Sequence, residues 1–502
     1  MLTDLIGWAY TATVIGIAIF GGHMALLLAV TLITRRQPRQ VYPVITAGAL
    51  GTPFVLVQLP FYNERTVAER VITAAAALVW PRDRLHIQVL DDSTDDTPLY
   101  ARACVARLAA AGAPISYHHR RERVGFKAGA LAAGLAQVPQ AEFVAIFDAD
   151  FVPPSGILEP LLAPFVDRPE LGLVQARWEH LNADANALTL AQAVMFDSYF
   201  AIDQVARSEA GLLMNFNGSA GLWRRACIDA AGGWQGDTLA EDLDLSYRAQ
   251  LKGWRLSYRM DLGVPAELPT TLAAFRQQQF RWAQGSFQVF RKLGRSLSRS
   301  PIGLHKRLLG GLHMLGYLPH VLLVGSLLLS LPMILLGGYA PVHWGALSAL
   351  AFVPLLVAVW GQWTLAAPRG ESPWRALLRL WTFPVLTLVF LGLAWSTTQA
   401  FWGALIGKGR AFERTPKRGE GGGPTYTERA GDWFVGEIGL ALYAGLSGWL
   451  AWQSAPELVA VLALYAASFG LTVGLGLWEQ RGRRGSSSRF ERGQLPGATR
   501  RH

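Results

Sequence analysis

Asp148 and Asp150 flank a single alanine at the end of the apolar run Phe143 to Phe147. Two carboxylates placed this way at a strand end can converge on one point. Hard cations such as Mg2+ or Mn2+ take oxygen ligands of this kind. An Asp-Xaa-Asp by itself reads equally well as a solvated turn. Here it has company. Asp91-Asp92 ends an earlier apolar run, and Glu241-Asp242 stands just before an amphipathic helical stretch. Acids at a helix N-terminus are stabilising without further purpose, but three acidic clusters favour a base over a cap. The run Gln277-Gln278-Gln279-Phe280-Arg281-Trp282 adds a cation for a polyanion and a flat apolar ring. Sugar transfer from a nucleotide diphosphate needs these parts: a cation to neutralise the departing diphosphate, a base for the acceptor hydroxyl, and a surface that holds the acceptor in line.

The elements that must position these residues alternate. Val55 to Leu59 reads as a strand ended by Pro60, Glu64 to Leu78 as a helix, and His86 to Leu90 and Phe143 to Phe147 as further strands. Strand, acidic loop and helix in repetition predict an open, mostly parallel α/β sheet. Ligands gather beyond the carboxyl ends of such strands, where the acids fall.

On either side of this region the composition changes. The chain has 502 residues, 51% hydrophobic and only 16% charged. Leu5 to Ile33 carries no charge and is long enough to cross a bilayer, which needs about 20 apolar residues. With no basic region before it and no obvious cleavage site after it, it reads as an uncleaved anchor. Candidate spans follow at 310–337, 342–366, 378–406, 434–452 and 458–477, with an interfacial piece as the alternative reading of the Thr397 to Ile406 half of the third. The organisation expected is an N-terminal transmembrane helix (1–34), a cytoplasmic domain (50–264), interfacial amphipathic helices (265–307), four or five transmembrane helices (308–480) and a disordered basic tail (481–502). The net charge of +10 sits largely beside the apolar runs, at Arg35, Arg36 and Arg39 and at Arg481, Arg483 and Arg484. That placement is positive-inside anchoring, with the domain facing the cytoplasm of a multi-pass membrane protein of the cell membrane, rather than nucleic-acid binding. Five later spans would put the basic loop Lys408 to Arg418 outside, against the same tendency. Cys104 and Cys227 have no zinc-type spacing.

The ordered set of motifs resembles the family 2 glycosyltransferases of the cellulose-synthase-like superfamily, and among them the mannan synthase and glucan synthase-like branches and their bacterial relatives. The residues that carry the likeness are Leu59-Pro60-Phe61-Tyr62-Asn63-Glu64, Asp91-Asp92-Ser93-Thr94-Asp95, Lys127-Ala128-Gly129-Ala130-Leu131, Phe147 to Phe151, Val174-Gln175-Ala176-Arg177-Trp178, Phe216-Asn217-Gly218-Ser219-Ala220-Gly221, the Gln-x-x-Arg-Trp of Gln278 to Trp282, and Phe412 to Lys417. The resemblance implies a GT-A type nucleotide-sugar-binding domain inserted between transmembrane α-helices. It implies donor contacts from Glu64, Asp92, Lys127, Asp148 and Arg281, and a Mg2+ or Mn2+ ion held by Asp148 and Asp150. It further implies Asp242 as base beside Glu241, and acceptor contacts from Gln278, Trp282, Trp178 and Asn217. Ala240 departs from the pattern, since many relatives carry Thr before Glu-Asp.

The reaction this implies is inverting transfer of a hexose onto a growing β-linked polysaccharide. UDP-glucose and GDP-mannose both suit the motifs; UDP-glucose is the first expectation, although no residue reads the base or the sugar C2 hydroxyl. One alternative is a non-processive enzyme that glycosylates a lipid; the amount of apolar chain after Trp282 favours a polymer. Another is a non-catalytic membrane transport or scaffold protein, against which the intact acids speak.

Overall fold

The computed structural model describes residues 1–34, 52–337, 349–407 and 433–492. Arg35 to Arg39, the loop Lys408 to Arg418 and the motif Phe412 to Lys417 lie outside the described residues. The first helix, α1 (Leu2–Thr34), is followed by a mixed seven-stranded sheet. Its strands are β1 (Val55–Phe61), β2 (Leu85–Asp91), β3 (Ile115–His119), β4 (Phe143–Ile146), β5 (Leu171–His180), β6 (Gly221–Arg224) and β7 (Arg255–Ala266), in the order β3-β2-β1-β4-β6-β5-β7. β3, β2, β1 and β4 run parallel, and β6 enters antiparallel between β4 and β5. The parallel half is the one predicted from the repeated strand–acid–helix pattern.

Pro60 does not end the first strand. It pairs with Leu90 in register, and the strand continues to Phe61. The reason is the short neighbour on the other side: β4 pairs with β1 only as far as Gln58, so the N–H that proline lacks has no ladder partner to miss there. β7 likewise runs to Ala266, past the boundary expected at 264.

Two helices matter most for position. α2 (Phe126–Ala136) begins at Phe126 and carries Lys127 in its first turn. It is held to the sheet by buried amides: Gln58 Nε2 donates to Leu131 O at 3.1 Å, and Gln88 Nε2 to Gly134 O at 3.0 Å. Each such bond contributes about 0.5–1.5 kcal/mol net. A β-carbon at Gly134 would stand 2.7 Å from both glutamine side chains, so the approach needs glycine. The second helix runs Glu241–Leu251 and places Glu241 and Asp242 in its own first turn rather than before it.

The segment expected as interfacial helices is largely one 28-residue helix, Leu272–Arg299. Phe275, Gln278, Ala283, Gln284 and Phe287 are buried, because the helix is wedged between the sheet domain and the apolar helices behind it. Its first turn is capped from the far end of the chain, where Glu479 Oε1 accepts from Leu272 N at 2.7 Å. One turn on, Arg276 pairs with the buried Glu437 at 3.0 Å.

Among the described residues five helices are long and apolar enough to cross a membrane: Leu2–Thr34, Leu318–Leu335, Pro373–Ile406, Phe434–Ser454 and Pro456–Arg481. Of the candidate at 342–366, residues 342–348 lie outside the described residues, and the rest forms a short turn, Ala349–Phe352, and the 14-residue helix Val353–Ala366. The last helix continues to Arg492, so the tail expected to be irregular from 481 begins as helix.

Gly285 sits where the long helix crosses the loop before Glu241. A β-carbon there would lie 2.8 Å from Ala240 Cβ, 2.9 Å from Ala240 N and 3.0 Å from Leu239 C. Two of these are backbone atoms that cannot swing away. Gly285→Ala is therefore expected to destabilise by about 1–3 kcal/mol. A lower midpoint of denaturant unfolding in detergent would show it; an unchanged midpoint would mean that the two elements do not meet as described.

Candidate active site

Every residue singled out from the sequence for a chemical role lines one cleft: Glu64, Asp92, Lys127, Asp148, Asp150, Trp178, Asn217, Glu241, Asp242, Gln278, Arg281 and Trp282. It opens beyond the carboxyl ends of β1, β2, β4 and β5, where an α/β sheet gathers ligands.

The wall over β1 and β2 is built by the first two motifs. Asn63, in the left-handed conformation (φ 57°), accepts from Thr94 N at 2.8 Å, and its own N–H donates to Ser93 Oγ at 2.7 Å. Asp91 turns away from the cleft, accepting from Tyr117 Oη at 2.7 Å and from Ser93 N at 2.8 Å. Asp92 faces the cleft, but both of its oxygens accept from one guanidinium, Arg120 Nε at 2.7 Å and Nη2 at 2.6 Å. Arg123 stands 3.4 Å over the Tyr62 ring and lines the same wall. Arg120 and Arg123 belong to the charged run after β3, which in sequence reads as a solvated loop. Only the return of that run over Asp92 gives them a place.

The centre is a knot of acids around one ammonium. Lys127 Nζ lies 2.5 Å from Asp148 Oδ1 and 3.7 Å from Glu241 Oε1, and donates to Gly218 O at 2.8 Å. Asp148 N in turn donates to Ser219 Oγ at 2.9 Å. The loop bearing Gly218 is fixed from β5, whose Gln175 accepts from Asn217 N at 3.0 Å and donates to Ser219 O at 3.0 Å. Gly218 has φ +82°, and a β-carbon there would lie 2.9 Å from Asp242 Oδ2. The loop thus needs glycine both for its backbone and for its closeness to the acid.

Charges in this knot act strongly on one another. Burial pushes the Asp242 carboxyl up to about 7, helped by the neighbouring Glu241; Lys127 and the hydrogen bond from Leu243 N pull the other way. Burial and the nearby Asp150 also raise Asp148, against Lys127. For Lys127 itself burial disfavours the charge, but the carboxylates of Asp148 and Glu241 outweigh it and hold its pKa above the usual lysine value. Arg281, whose pKa burial lowers, faces Glu241, Asp148, Glu64 and Asp150. A guanidinium stays charged in such surroundings.

The opposite wall is aromatic. Trp282 lies 6.4 Å from Trp178 and 5.8 Å from Phe196, and Trp178 also meets Phe151 at 5.3 Å and Phe200 at 5.6 Å. Gln278, one turn before Trp282 and buried, has an Oε1 without a hydrogen-bond partner at the cleft. Asn217 is set by a polar cluster on a π-helical turn, Tyr199–Gln204, with Tyr199 Oη at 3.0 Å from its Oδ1. Phe196 and His180 also line this wall and carry no motif that sequence reasoning could have used.

A divalent cation fits the donor set with a restriction. Among the described residues no three His, Cys, Asp or Glu side chains converge as a metal cage. Asp148 and Asp150 offer at most two carboxylates, the arrangement in which substrate phosphates and water complete the shell. The Asp148 carboxyl is raised chiefly by burial and then by Asp150, against the pull of Lys127.

Residues 53–285 match the model of the glycosyltransferase-like family 2. The chain is 42% identical over 288 residues to glucomannan 4-beta-mannosyltransferase 2 of Arabidopsis thaliana, covering 55% of this chain and 54% of that protein. With glucomannan 4-beta-mannosyltransferase 7 of the same plant it shares 36% over 352 residues, 67% of this chain and 63% of the other. A probable glucomannan 4-beta-mannosyltransferase 6 of Oryza sativa subsp. japonica is 43% identical over 54% of this chain and 49% of its own length. The chain thus spans about half to under two thirds of the length of these relatives. Among solved structures, a mannosyltransferase from Pyrobaculum calidifontis, in complex with GDP-Man and Mn2+, superposes with a TM-score of 0.54. It is 22% identical, with 80% of this chain and 100% of that chain covered, and so bears on the fold alone. The domain built on this seven-stranded sheet belongs to glycosyltransferase family 2, in its GT-A fold, and resembles the mannan synthases of the cellulose-synthase-like superfamily.

Proposed function

We propose that the chain is a membrane-embedded, inverting hexosyltransferase that moves mannose from GDP-mannose onto a growing β-linked polysaccharide. The observation that carries this reading is the meeting of the acid knot around Lys127 with the aromatic wall of Trp282 in one cleft. The names of the relatives favour GDP-mannose over UDP-glucose. On this reading Glu64, Asp92, Lys127 and Arg281 hold the nucleotide and its diphosphate. Asp92, locked by Arg120, presents a fixed acceptor edge to the base. Asp148 and Asp150 hold a divalent ion, which when bound neutralises the leaving diphosphate. Asp242 takes the proton of the acceptor hydroxyl, with Glu241 raising its basicity. Attack from Asp242's side, opposite the leaving group, turns an α-linked donor into a β-linked product. Gln278, Trp282, Trp178 and Asn217 hold the acceptor.

The membrane assignment rests on the five apolar helices. With the domain on the cytoplasmic face, four crossings after it return Lys408 to Arg418 and the basic end of the chain to the domain's side. That removes the conflict with positive-inside anchoring that a fifth crossing creates.

The direct test is purified full-length chain in detergent with labelled GDP-mannose or UDP-glucose and Mn2+ or Mg2+. GDP-mannose is the donor expected to be consumed, and excess EDTA or Asp150→Asn is expected to reduce turnover at least a hundredfold. Full activity in EDTA would remove the metal from the scheme.

Asp242→Asn is expected to keep donor affinity and lower kcat by about 10²–10⁴-fold, the usual worth of a general base. In the wild type the same group gives a pH dependence of known sign. A carboxyl near 7 is protonated below that pH and can no longer accept a proton, so kcat falls as the pH drops through about 7. An α-linked product, or a kcat flat from pH 8 to 5, would contradict the role.

Trp282→Ala is expected to leave donor affinity near wild type and shorten the product sharply, with Trp282→Phe retaining part of the length. Indole packs on the C–H face of a sugar at modest entropic cost. Unchanged product length on folded protein would reduce Trp282 to a packing residue.

A further inference from the structure

His180 ends β5 with its side chain only 4% exposed, and what is exposed faces the cleft. Behind it lies Asp197, itself 1% exposed. Asp197 Oδ2 accepts from Gln362 Nε2 at 2.8 Å, and Oδ1 accepts from Arg369 Nη2 and from His180 Nε2, the latter at 3.3 Å. Gln362 lies on the helix Val353–Ala366 and Arg369 on the turn that follows it. Burial works against the Asp197 carboxylate, but Arg369 and His180 outweigh it and hold the group well below the usual carboxylate range.

These contacts fix the histidine's hydrogen-bonding sense. An ionised carboxylate only accepts, so Nε2 must carry the hydrogen it shares with Asp197. In the neutral ring Nδ1 is then a bare acceptor. Among the described residues no group donates to it. Charge balance does not explain the imidazole, because Arg369 already neutralises Asp197 and Gln362 occupies its second oxygen. Packing alone does not explain it either. The ring is 6.0 Å from Phe196, which is 5.8 Å from Trp282, a setting in which an apolar side chain would serve the wall as well.

We propose that His180 is an acceptor-site residue, oriented by Asp197, whose Nδ1 accepts a hydrogen bond from a hydroxyl of the saccharide packed on Trp282 and Trp178. This rests on the reading of the cleft as one that transfers a sugar to a saccharide. Asp197, Gln362 and Arg369 are positioning residues, and through them the acceptor wall is registered against the apolar helices.

The experiment uses the full chain in detergent, GDP-mannose, and a short β-linked manno-oligosaccharide as acceptor, with donor hydrolysis measured separately without acceptor. His180→Ala is expected to raise the acceptor KM roughly tenfold, the worth of one lost hydrogen bond. Donor affinity and acceptor-free hydrolysis stay at the wild-type level. His180→Asn, whose amide branches where Nδ1 does, restores most of the acceptor KM; His180→Gln, which reaches only the Nε2 position, does not. An acceptor KM within twofold of wild type in His180→Ala overturns the assignment, as does hydrolysis falling in step with transfer. Should the alanine variant not fold, the contrast between Asn and Gln decides, and equal behaviour of the two overturns it. A wild type that hydrolyses donor but never extends the oligosaccharide overturns the acceptor reading itself, whatever the variants do.

Discussion

The site depends on a single ammonium placed among carboxylates. Asp148, Glu241 and Asp242 all act on Lys127, and Asp150 acts on Asp148. Burial disfavours the ionisation of these carboxyls, and like charges at such distances add to the effect. Without a cation at its centre the cluster would take up protons or spread apart. Lys127 prevents this from a fixed position, because its nitrogen is also tied to Gly218 O and its helix is pinned to the sheet through Gln58 and Gln88. The compensation is partial by construction. Burial first, and then Glu241, still hold the Asp242 carboxyl near 7 in spite of Lys127.

The two walls of the cleft hang on different parts of the molecule. Asp92, Asp148 and Asp150 stand just beyond strand ends, and Glu241 and Asp242 in the first turn of the helix Glu241–Leu251. Gln278, Arg281 and Trp282 stand on the long helix, whose start is capped by Glu479 and tied through Arg276 to Glu437. Both partners come from the last two apolar helices. A buried ion pair contributes little net stability, since desolvation offsets attraction, but breaking it leaves a charge stranded. Its effect is to fix register: the helix cannot slide along its axis without stranding Glu437. The apolar block is thereby part of the geometry of the site as well as an anchor.

Much of this was legible in the sequence because the chemistry repeats a local pattern. Acids at the ends of short apolar runs announce both a parallel sheet and its ligand edge, and every candidate residue falls in the cleft. What was illegible is what depends on return of the chain. Arg120 looks like part of a solvated run until it folds over Asp92. Asp197 looks like one polar residue in a helix until Arg369, far along the chain, reaches it. The long amphipathic helix carries an apolar stripe that suits lipid or protein equally, and only the helices behind it decide. The strand through Pro60 was misjudged for a related reason, as a proline's cost is set by whether a neighbouring strand is there to ask for its N–H.

Ala240 shows how a departure from a motif can be absorbed. It stands at the N-cap of the helix bearing Glu241 and Asp242, and its methyl side chain makes no cap hydrogen bond. A threonine hydroxyl at such a position would accept from an exposed backbone N–H, worth about 1 kcal/mol. The structure takes another route. The long helix crosses at Gly285 so closely that the Ala240 methyl fills the space, and from the same helix Gln288 Oε1 accepts from Leu239 N at 2.8 Å. The loop before the acids is therefore held from the long helix rather than by a cap from Ala240. The acids Glu241 and Asp242 and the Trp282 of the long helix then keep a common spacing, because the residue between the two elements is too small to hold them apart.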